Sequence, residues 1–492
     1  MQYTVDILLA VKSCAIFVLV TVFVWWRSNR KSGPPPGPTG LPLLGYIPFM
    51  GKKPQDTLAK LRKQYGSIYT LPLGSRTFVV LNDFDTIHEA LMKKGNAISD
   101  KDPSPIIRWF GGDMGYVWRS YSNSYRRLRK FGITTLKGFG VGKRSMEDRV
   151  NEEVRYLSEI IMSKHGRSFD VTNHLGNAAI NIIMSIVSGN RVDYESEPFK
   201  TMLDMNAKRF GENSGRMQKI QFFPLLRYLP GYSKVFQDTI EQVKVTKGIV
   251  RSTIENHIKT FDPNDIRDFI DAFLKEMKKE ETQPFTREIL DAVIRDLFNA
   301  GSETTTTALR WCLLYLAKHQ EYQKRLRDEI KTHCGTAGPI SMENRSNMHL
   351  TSSFIHEVQR YKPLAILLPR KTTEIVSLGG YTFPTNTLMM INLWEVHRDP
   401  KTFNNPNELQ PERFLDNEGK FSKHSHVIPF SIGPRNCIGM HLAEMELFVI
   451  LSGLLRNFKI SEDPKYPLPS FTQGHYGMLY HPLPYKLSFE VE

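Results

Sequence analysis

Apolar residues recur at helical spacing along most of this chain. The pattern predicts helices over roughly 83–94, 122–136, 145–164, 172–188, 235–259, 265–279, 286–318, 320–333, 350–361 and 440–454. Two runs rich in β-branched and aromatic residues, Ile68–Leu73 and Thr77–Leu81, predict a hairpin, and strand signals return near 370–392 and 475–490. The fold is therefore predicted to be mainly α with small β-sheets.

The helix predicted over 286–318 has about 33 residues and would be roughly 50 Å long at 1.5 Å per residue. Its apolar pattern breaks in the middle, at Ala300-Gly301-Ser302-Glu303-Thr304-Thr305-Thr306-Thr307. Glycine and threonine are poor formers of helix interiors, so we expect the hydrogen-bond ladder to open locally there. A polar turn at the surface is the alternative interpretation.

The N-terminus carries an apolar segment from Ile7 to Trp26, close to the ~20 residues that span a bilayer. Tryptophans end it at positions 25 and 26, and basic residues follow at 27, 30 and 31, which places the C-terminal side in the cytosol. A cleaved signal peptide would carry its positive charge before the apolar run and a small-residue site after it, and neither is present. We therefore expect a membrane anchor over 1–26, a basic, proline-rich linker over 27–49 and one large domain over 50–492.

Composition is that of a globular protein: 492 residues, 40% hydrophobic and 24% charged. The four cysteines, Cys14, Cys312, Cys334 and Cys437, do not make a disulfide framework in so long a chain, which favours a reducing compartment. The formal net charge of +14 comes without a nucleic-acid-binding module or a clustered basic stripe with aromatics. An anionic membrane surface and an acidic protein partner explain the charge better than nucleic acid.

Cys437 lies in the glycine-flanked run Phe430-Ser-Ile-Gly433-Pro-Arg435-Asn-Cys437-Ile-Gly439, just before a predicted helix. Free N–H groups and the positive end of the helix dipole there favour thiolate over thiol. A thiolate in such a loop is suited to a soft or borderline metal, haem iron included. A buried packing cysteine is the alternative, and the loop's composition argues against it.

The pattern F-x-x-G-x-R-x-C-x-G resembles the haem-binding signature of the cytochrome P450 family, in particular its microsomal, family-two-like members. The resemblance implies the cytochrome P450 fold, a bound haem b, and Cys437 as the axial ligand of its iron. It also implies that the cofactor is cradled or paired through Phe430, Gly433, Gly439, Arg435, Arg129, Tyr125 and Arg370. Tyr125 stands where the family usually has tryptophan, and Arg370 where many relatives have histidine. Lys101 is a weaker candidate.

Ala300-Gly301-x-Glu303-Thr304 resembles the family's oxygen-activation motif. This implies that the Thr304 hydroxyl holds oxygen or a relay water and that Glu303 recharges the relay with protons. Glu357 and Arg360 share a helix face, and the resemblance adds Arg413 to form a buried network that braces the loop before Cys437. A solvated salt bridge is the alternative for that pair.

Substrate contacts in the family come from segments that correspond here to about 100–117, 203–211, 298–303, 364–368 and 476–479. The residues that we expect to line the pocket are Phe298, Ala300, Gly301, Leu364, Ile366, Leu367 and Met478. The run 364–368 is fully apolar, which favours a hydrophobic substrate. Core packing is the alternative role for each of these residues.

The resemblance implies a monooxygenase that inserts one atom of O2 into a lipophilic substrate of the steroid, fatty-acid or xenobiotic class. Electrons would come from NADPH through NADPH–cytochrome P450 reductase, with cytochrome b5 as a second candidate donor, at the endoplasmic reticulum membrane. Basic residues expected to face that partner are Arg126, Arg127, Lys130, Lys137 and Lys423. A reductase-independent isomerase or dehydratase of the same fold, and a non-catalytic haem-binding protein, are the alternatives. The Glu303–Thr304 pair argues against both.

Overall fold

The computed structural model describes residues 34–140, 144–194, 196, 200–201, 214–279 and 283–492. Its helices are α1 (Pro54–Tyr65), α2 (Phe84–His88), α3 (Gly95–Ile98), α4 (Pro105–Trp109), α5 (Asn123–Gly138), α6 (Arg144–Met162), α7 (Thr172–Val187), α8 (Ser214–Phe222), α9 (Ser233–Thr260), α10 (Phe269–Met277), α11 (Arg287–Lys318), α12 (Gln320–Cys334), α13 (His349–Tyr361), α14 (Leu393–Val396) and α15 (Met440–Asn457). Its strands are β1 (Ile68–Leu73), β2 (Arg76–Leu81), β3 (Leu367–Lys371), β4 (Val376–Leu378), β5 (Tyr381–Phe383), β6 (Leu388–Asn392), β7 (Phe458–Ser461), β8 (Gly474–Tyr476), β9 (Tyr480–Pro482) and β10 (Ser488–Val491).

These elements confirm the prediction of a mainly helical chain with small sheets. The helix expected over 83–94 is divided into α2 and a π-helical turn, Glu89–Lys93. Other predicted helix bounds differ by up to four residues, and the sequence pattern did not predict α1, α3, α4, α8 and α14. The predicted anchor at 1–26 and the predicted pocket segment 203–211 lie outside the described residues. Within the part of the chain that the structure describes, no helix combines the length and apolarity needed to cross a bilayer.

The long helix α11 runs without interruption from Arg287 to Lys318, so the expected local opening was wrong. Hydroxyl groups in its polar segment donate instead to carbonyls four residues back: Ser302 to Phe298, and Thr304 to Ala300, each at 2.7 Å. Such back-bonding satisfies the hydroxyls inside the protein, and packing on both sides of the helix outweighs weak intrinsic propensity.

Helix α11 passes through the main apolar core, where it packs against α7 and α15. Gly301 lies at the crossing with α7, because a Cβ atom there would stand 2.5 Å from Cδ1 of Ile183. The bare side of Gly301 therefore faces the neighbouring helix, and its expected place in the pocket lining stays a prediction. The missing side chain makes room for the neighbouring helix.

The main sheet has the order β1-β2-β6-β3, in which only the β2–β6 pair is parallel. The three remaining described sheets are the two-stranded pairs β4–β5, β7–β10 and β8–β9. The Tyr480 N–H of the β8–β9 hairpin donates to the Leu364 carbonyl at 2.9 Å. That bond brings the hairpin to the apolar segment that leads into β3.

Candidate functional site

The loop before α15 is a tight backbone turn. The Cys437 N–H donates to the Phe430 carbonyl at 2.9 Å, and the Asn436 N–H to the Gly433 carbonyl at 3.0 Å. Gly433 has φ of 79°, and a Cβ atom there would lie 2.2 Å from the Leu91 carbonyl oxygen. Two features therefore require glycine at position 433: its left-handed backbone conformation and the close approach of the backbone at Leu91.

Gly439, the N-cap of α15, borders open space, because a Cβ atom there would meet nothing within 4 Å. Cys437 is also exposed, although the loop around it is otherwise enclosed by protein. The thiol and the bare glycine therefore flank a space that a flat group can enter.

Burial raises the pKa of the Cys437 thiol, while the Gly439 N–H and the charge of Arg129 oppose that rise. The N–H groups at the helix start act in the predicted direction, but desolvation is the larger effect. A cation coordinated at the sulfur would supply the missing stabilisation, because a coordinating thiol loses its proton.

Arg435 ties the loop to a neighbouring segment. Its Nε donates to the Ser99 carbonyl at 2.8 Å, its Nη1 to the Tyr116 carbonyl at 3.2 Å, and its Nη2 to the Arg119 carbonyl. Its guanidinium also lies 3.8 Å from the ring centre of buried Tyr125. Three of its N–H groups are used in this way, and a hydrogen bond with the Tyr125 side chain accompanies them.

Three more cations converge beside Arg435. Arg129 donates to the carbonyl and to Oδ1 of Asn436, both at 2.6 Å. Arg370, 3% exposed, donates to the Pro369 carbonyl at 2.9 Å, and Lys101 donates to the same carbonyl at 2.8 Å. Burial lowers the pKa of Arg370 to about 10 and that of Lys101 well below its ordinary value.

None of these four cations forms an ion pair with a carboxylate among the described residues, and the buried Nε of Arg370 lacks a hydrogen-bond partner there. Buried guanidinium groups ordinarily have an anionic partner. A ligand with two carboxylates would complete this cluster, and a soft metal would complete the thiol. The donor set therefore fits haem, with its iron at Cys437 and its propionates at the cations. Lys101, ranked weakest from the sequence, belongs to this cluster.

Glu303 and Thr304 lie next to each other on α11. The Glu303 carboxyl has a pKa raised to about 7 by burial, against the opposing effects of Arg310 and a Thr307 hydrogen bond. His481 of β9 is the unexpected neighbour: its Nδ1 lies 3.5 Å from Glu303 Oε1 and 3.0 Å from Thr307 Oγ1. Thr307 stands one helical turn after Glu303 and was visible in the sequence, whereas nothing local pointed to His481.

A second carboxyl crosses from the other side of α11. The Thr305 hydroxyl donates at 2.5 Å to Oε2 of buried Glu446 on α15. Burial raises the pKa of Glu446 to about 8, and its Oε1 has no partner in the described structure. This bond joins the polar segment of α11 to the helix that follows Cys437, and no sequence signal singled it out.

The predicted charged network is assembled. Glu357 and Arg360 are fully buried and meet at 2.6 Å, and Arg413 Nε lies 3.3 Å from the same carboxylate. Arg360 Nη1 also donates to the His397 carbonyl at 2.7 Å, and His397 Nε2 accepts from the Ile428 N–H at 2.9 Å. His397, absent from the sequence prediction, thus connects the network to the chain just before Phe430.

The predicted pocket residues differ in exposure. Phe298 and Ile366 are buried, Leu364 and Leu367 are half-buried, and Ala300 and Met478 are exposed. The polar segment of α11, the chain at 364–367 and the β8–β9 hairpin are brought together by the contacts of His481 and Tyr480.

The predicted basic patch centres on α5. Arg126, Lys130 and Lys137 are exposed at spacings that share one helix face, and Arg126 and Lys130 line a surface cleft with Pro434 of the cysteine loop. Arg127 packs its guanidinium 5.7 Å from the ring centre of Phe285. Lys423, the fifth predicted member, is paired with Glu444 at 2.9 Å.

Comparison with known proteins matches residues 35–489 to the family model Cytochrome P450. Cytochrome P450 2C4 of Oryctolagus cuniculus is 37% identical over 457 residues, covering 91% of this chain and 92% of that protein. Cytochrome P450 2U1 of Homo sapiens is 35% identical over 500 residues (94% and 90%), and cytochrome P450 2A13 of Homo sapiens is 33% identical over 492 residues (98% and 98%).

Proposed function

The chain belongs to the cytochrome P450 family and is a cytochrome P450 monooxygenase, and on that premise we propose that it inserts one atom of O2 into a lipophilic organic substrate with electrons from NADPH. The observation that carries the proposal is the combination of an accessible thiol among unpaired cations with an acid and a hydroxyl on α11.

Cys437 would hold the iron of haem b, and Arg129, Arg370, Arg435 and Lys101 would hold its propionates. When bound, haem supplies the binding and reductive cleavage of O2, which a thiolate ligand favours. The chain itself fixes the ligand loop, excludes water and delivers protons.

Proton delivery is assigned to Glu303 and Thr304. With a pKa of about 7, the Glu303 carboxyl both gives and regains a proton near neutral pH, which is where a general acid is most effective. The Thr304 hydroxyl donates to the Ala300 carbonyl, so its lone pairs stay available to accept from a water or a substrate oxygen. An isomerase or a haem-binding sensor has no need of such a pair.

A lipophilic substrate is supported by the apolar side chains at 298 and 364–367. The steroid, fatty-acid and xenobiotic classes all satisfy that chemistry. An endoplasmic reticulum membrane location is supported by exposed apolar residues in two segments, Leu43 and Phe49 in one, Leu225 and Leu229 in the other. The two segments adjoin, since Tyr46 and Phe222 pack in one cluster, and exposed apolar patches of this kind mark contact surfaces.

The electron donor would be a flavoprotein reductase, with cytochrome b5 as a second donor, that docks an acidic face against α5. Reversing Arg126 and Lys130 together to glutamate should lower the reductase-driven rate several-fold and leave peroxide-driven turnover unchanged. Lys244→Glu, at a lysine 70% exposed on α9, is the matched control. Equal rates for both proteins would place the partner elsewhere.

The function is tested with the full chain, purified reductase and a panel of lipophilic probes under isotopically labelled O2. We expect NADPH-dependent incorporation of one labelled atom per product, together with a red-shifted Soret band for the reduced protein under carbon monoxide. Cys437→Ser should lose both. Product formed without NADPH would favour the isomerase. A rate of NADPH oxidation that no probe changes would favour the haem-binding sensor.

A further inference from the structure

The β8–β9 hairpin brings a histidine against the acid of α11. His481 is 6% exposed, and its Nδ1 faces two oxygens of that helix, Thr307 Oγ1 at 3.0 Å and Glu303 Oε1 at 3.5 Å. Its other nitrogen, Nε2, is buried and has no partner among the described residues. The imidazole therefore meets α11 through one nitrogen only.

We propose that His481 is a positioning residue for proton delivery: with Thr307 it holds the Glu303 carboxyl in place and stabilises its ionised form. The assignment rests on the proposed role of Glu303 as the proton source. When Glu303 has given up its proton, its carboxylate accepts from the Thr307 hydroxyl and from the Nδ1–H of neutral His481. When the proton returns, Nδ1–H donates to Thr307 Oγ1 alone, so no atom has to leave the site.

The electrostatics agree with a neutral donor. Burial, Arg310 and His475 lower the pKa of His481 to about 3, so it carries no charge at neutral pH. Arg310 on α11 and His475, which stands directly opposite His481 in the hairpin, are the other charged or titratable groups that act on this pair in the described structure. Burial raises the pKa of the Glu303 carboxyl, and the charge of Arg310 and a hydrogen bond from Thr307 oppose that rise.

The arrangement gives the hairpin a second role. The turn of this hairpin carries Met478, which we predicted to line the pocket. The hairpin is also hydrogen-bonded to the Leu364 carbonyl through the Tyr480 N–H. A substrate that displaces the hairpin would also move His481 away from Glu303.

The test is an infrared pH titration of the protonated Glu303 carboxyl in the holoenzyme, with the C=O band assigned by its loss in Glu303→Gln. His481→Leu removes the donor and should raise the titration midpoint by about one to two pH units, the effect of losing one hydrogen bond to a charged group. His481→Asn keeps a donor at the position of Nδ1 and should titrate close to wild type. Thr307→Val should shift the midpoint in the same direction as His481→Leu.

His475→Leu is the matched control, the same change at the facing position of the same hairpin. A His481→Leu midpoint equal to that of wild type, or to that of His475→Leu, would overturn the proposal. If His481→Leu does not take up haem, His481→Phe, which keeps a ring and removes the donor, decides by the same criterion. The role of Glu303 is tested apart from this: Glu303→Gln should divert NADPH electrons to peroxide, and unchanged coupling there would refute the proton-source assignment whatever His481 does.

Discussion

Glu357→Gln is the most informative single change in the charged network. The Glu357 carboxylate is fully buried and accepts four hydrogen bonds: two from Arg360 at 2.6 and 2.7 Å, one from Arg413 and one from the Gln410 N–H. Glutamine has nearly the same shape but no charge, and its NH2 group would face a guanidinium. Arg360, 0% exposed, would then be a buried cation without its partner.

Removing one partner of a buried pair costs about 3–5 kcal/mol, a factor of roughly a hundred to several thousand in the folding equilibrium. Folded domains are typically stable by only about 5–15 kcal/mol, so this loss is a large share of the total. Because Arg360 reaches Ile428 through His397, we expect the cysteine loop to loosen with the network. Haem should leave at a lower urea concentration than in wild type, together with the loss of helical signal.

Glu412→Gln is the matched control. Glu412 lies in the turn Pro411–Phe414, and Gln410, whose N–H donates to Glu357, is the N-cap of that turn. Its ion pair with Arg325 is about half exposed on both sides, and such pairs contribute about 0–1 kcal/mol. The assay follows the Soret band and the far-UV circular dichroism across a urea series. If Glu357→Gln keeps its haem and unfolds at the urea concentration of Glu412→Gln, the network does not brace the loop and the reasoning fails.

Three further predictions concern other parts of the site. Burial raises the pKa of Glu446 to about 8 in the folded protein, so the folded state binds a proton that the unfolded state releases, and stability falls as pH rises from about 4.5 to about 8. Glu446→Gln should flatten the fall of the melting temperature over that range, and parallel curves of melting temperature against pH for the variant and wild type would contradict this. Arg370→Met removes a buried cation that we propose holds a propionate, and it should weaken haem uptake by the apoprotein about 10- to 100-fold in a spectroscopic titration. Unchanged uptake would exclude Arg370 from the haem site. Thr304→Val keeps the shape and removes the hydroxyl, so peroxide release per NADPH should rise while Thr304→Ser stays near wild type, and equal release in both variants would exclude a role for the hydroxyl.

The sequence by itself determined the features whose information is local. Helical spacing predicted most helices close to their observed bounds, since one buried stripe suffices to orient a helix. The cysteine loop could be identified from the sequence because its glycines, Arg435 and Cys437 lie within ten residues. The Glu357–Arg360 pair was anticipated from its spacing on one helix, and the resemblance to the family added Arg413.

Tertiary structure decided those contacts between distant residues that no motif indicated. It joined His481 to Glu303, Glu446 to Thr305 and Arg370 to the cysteine loop, and only packing sets those distances. It also placed the bare side of Gly301 against Ile183 and enclosed the cysteine loop, and this burial raises the pKa of Cys437. Local sequence fixes which chemical groups are present. Burial and long-range contact fix their protonation and the groups they meet, because desolvation depends on the whole surrounding fold.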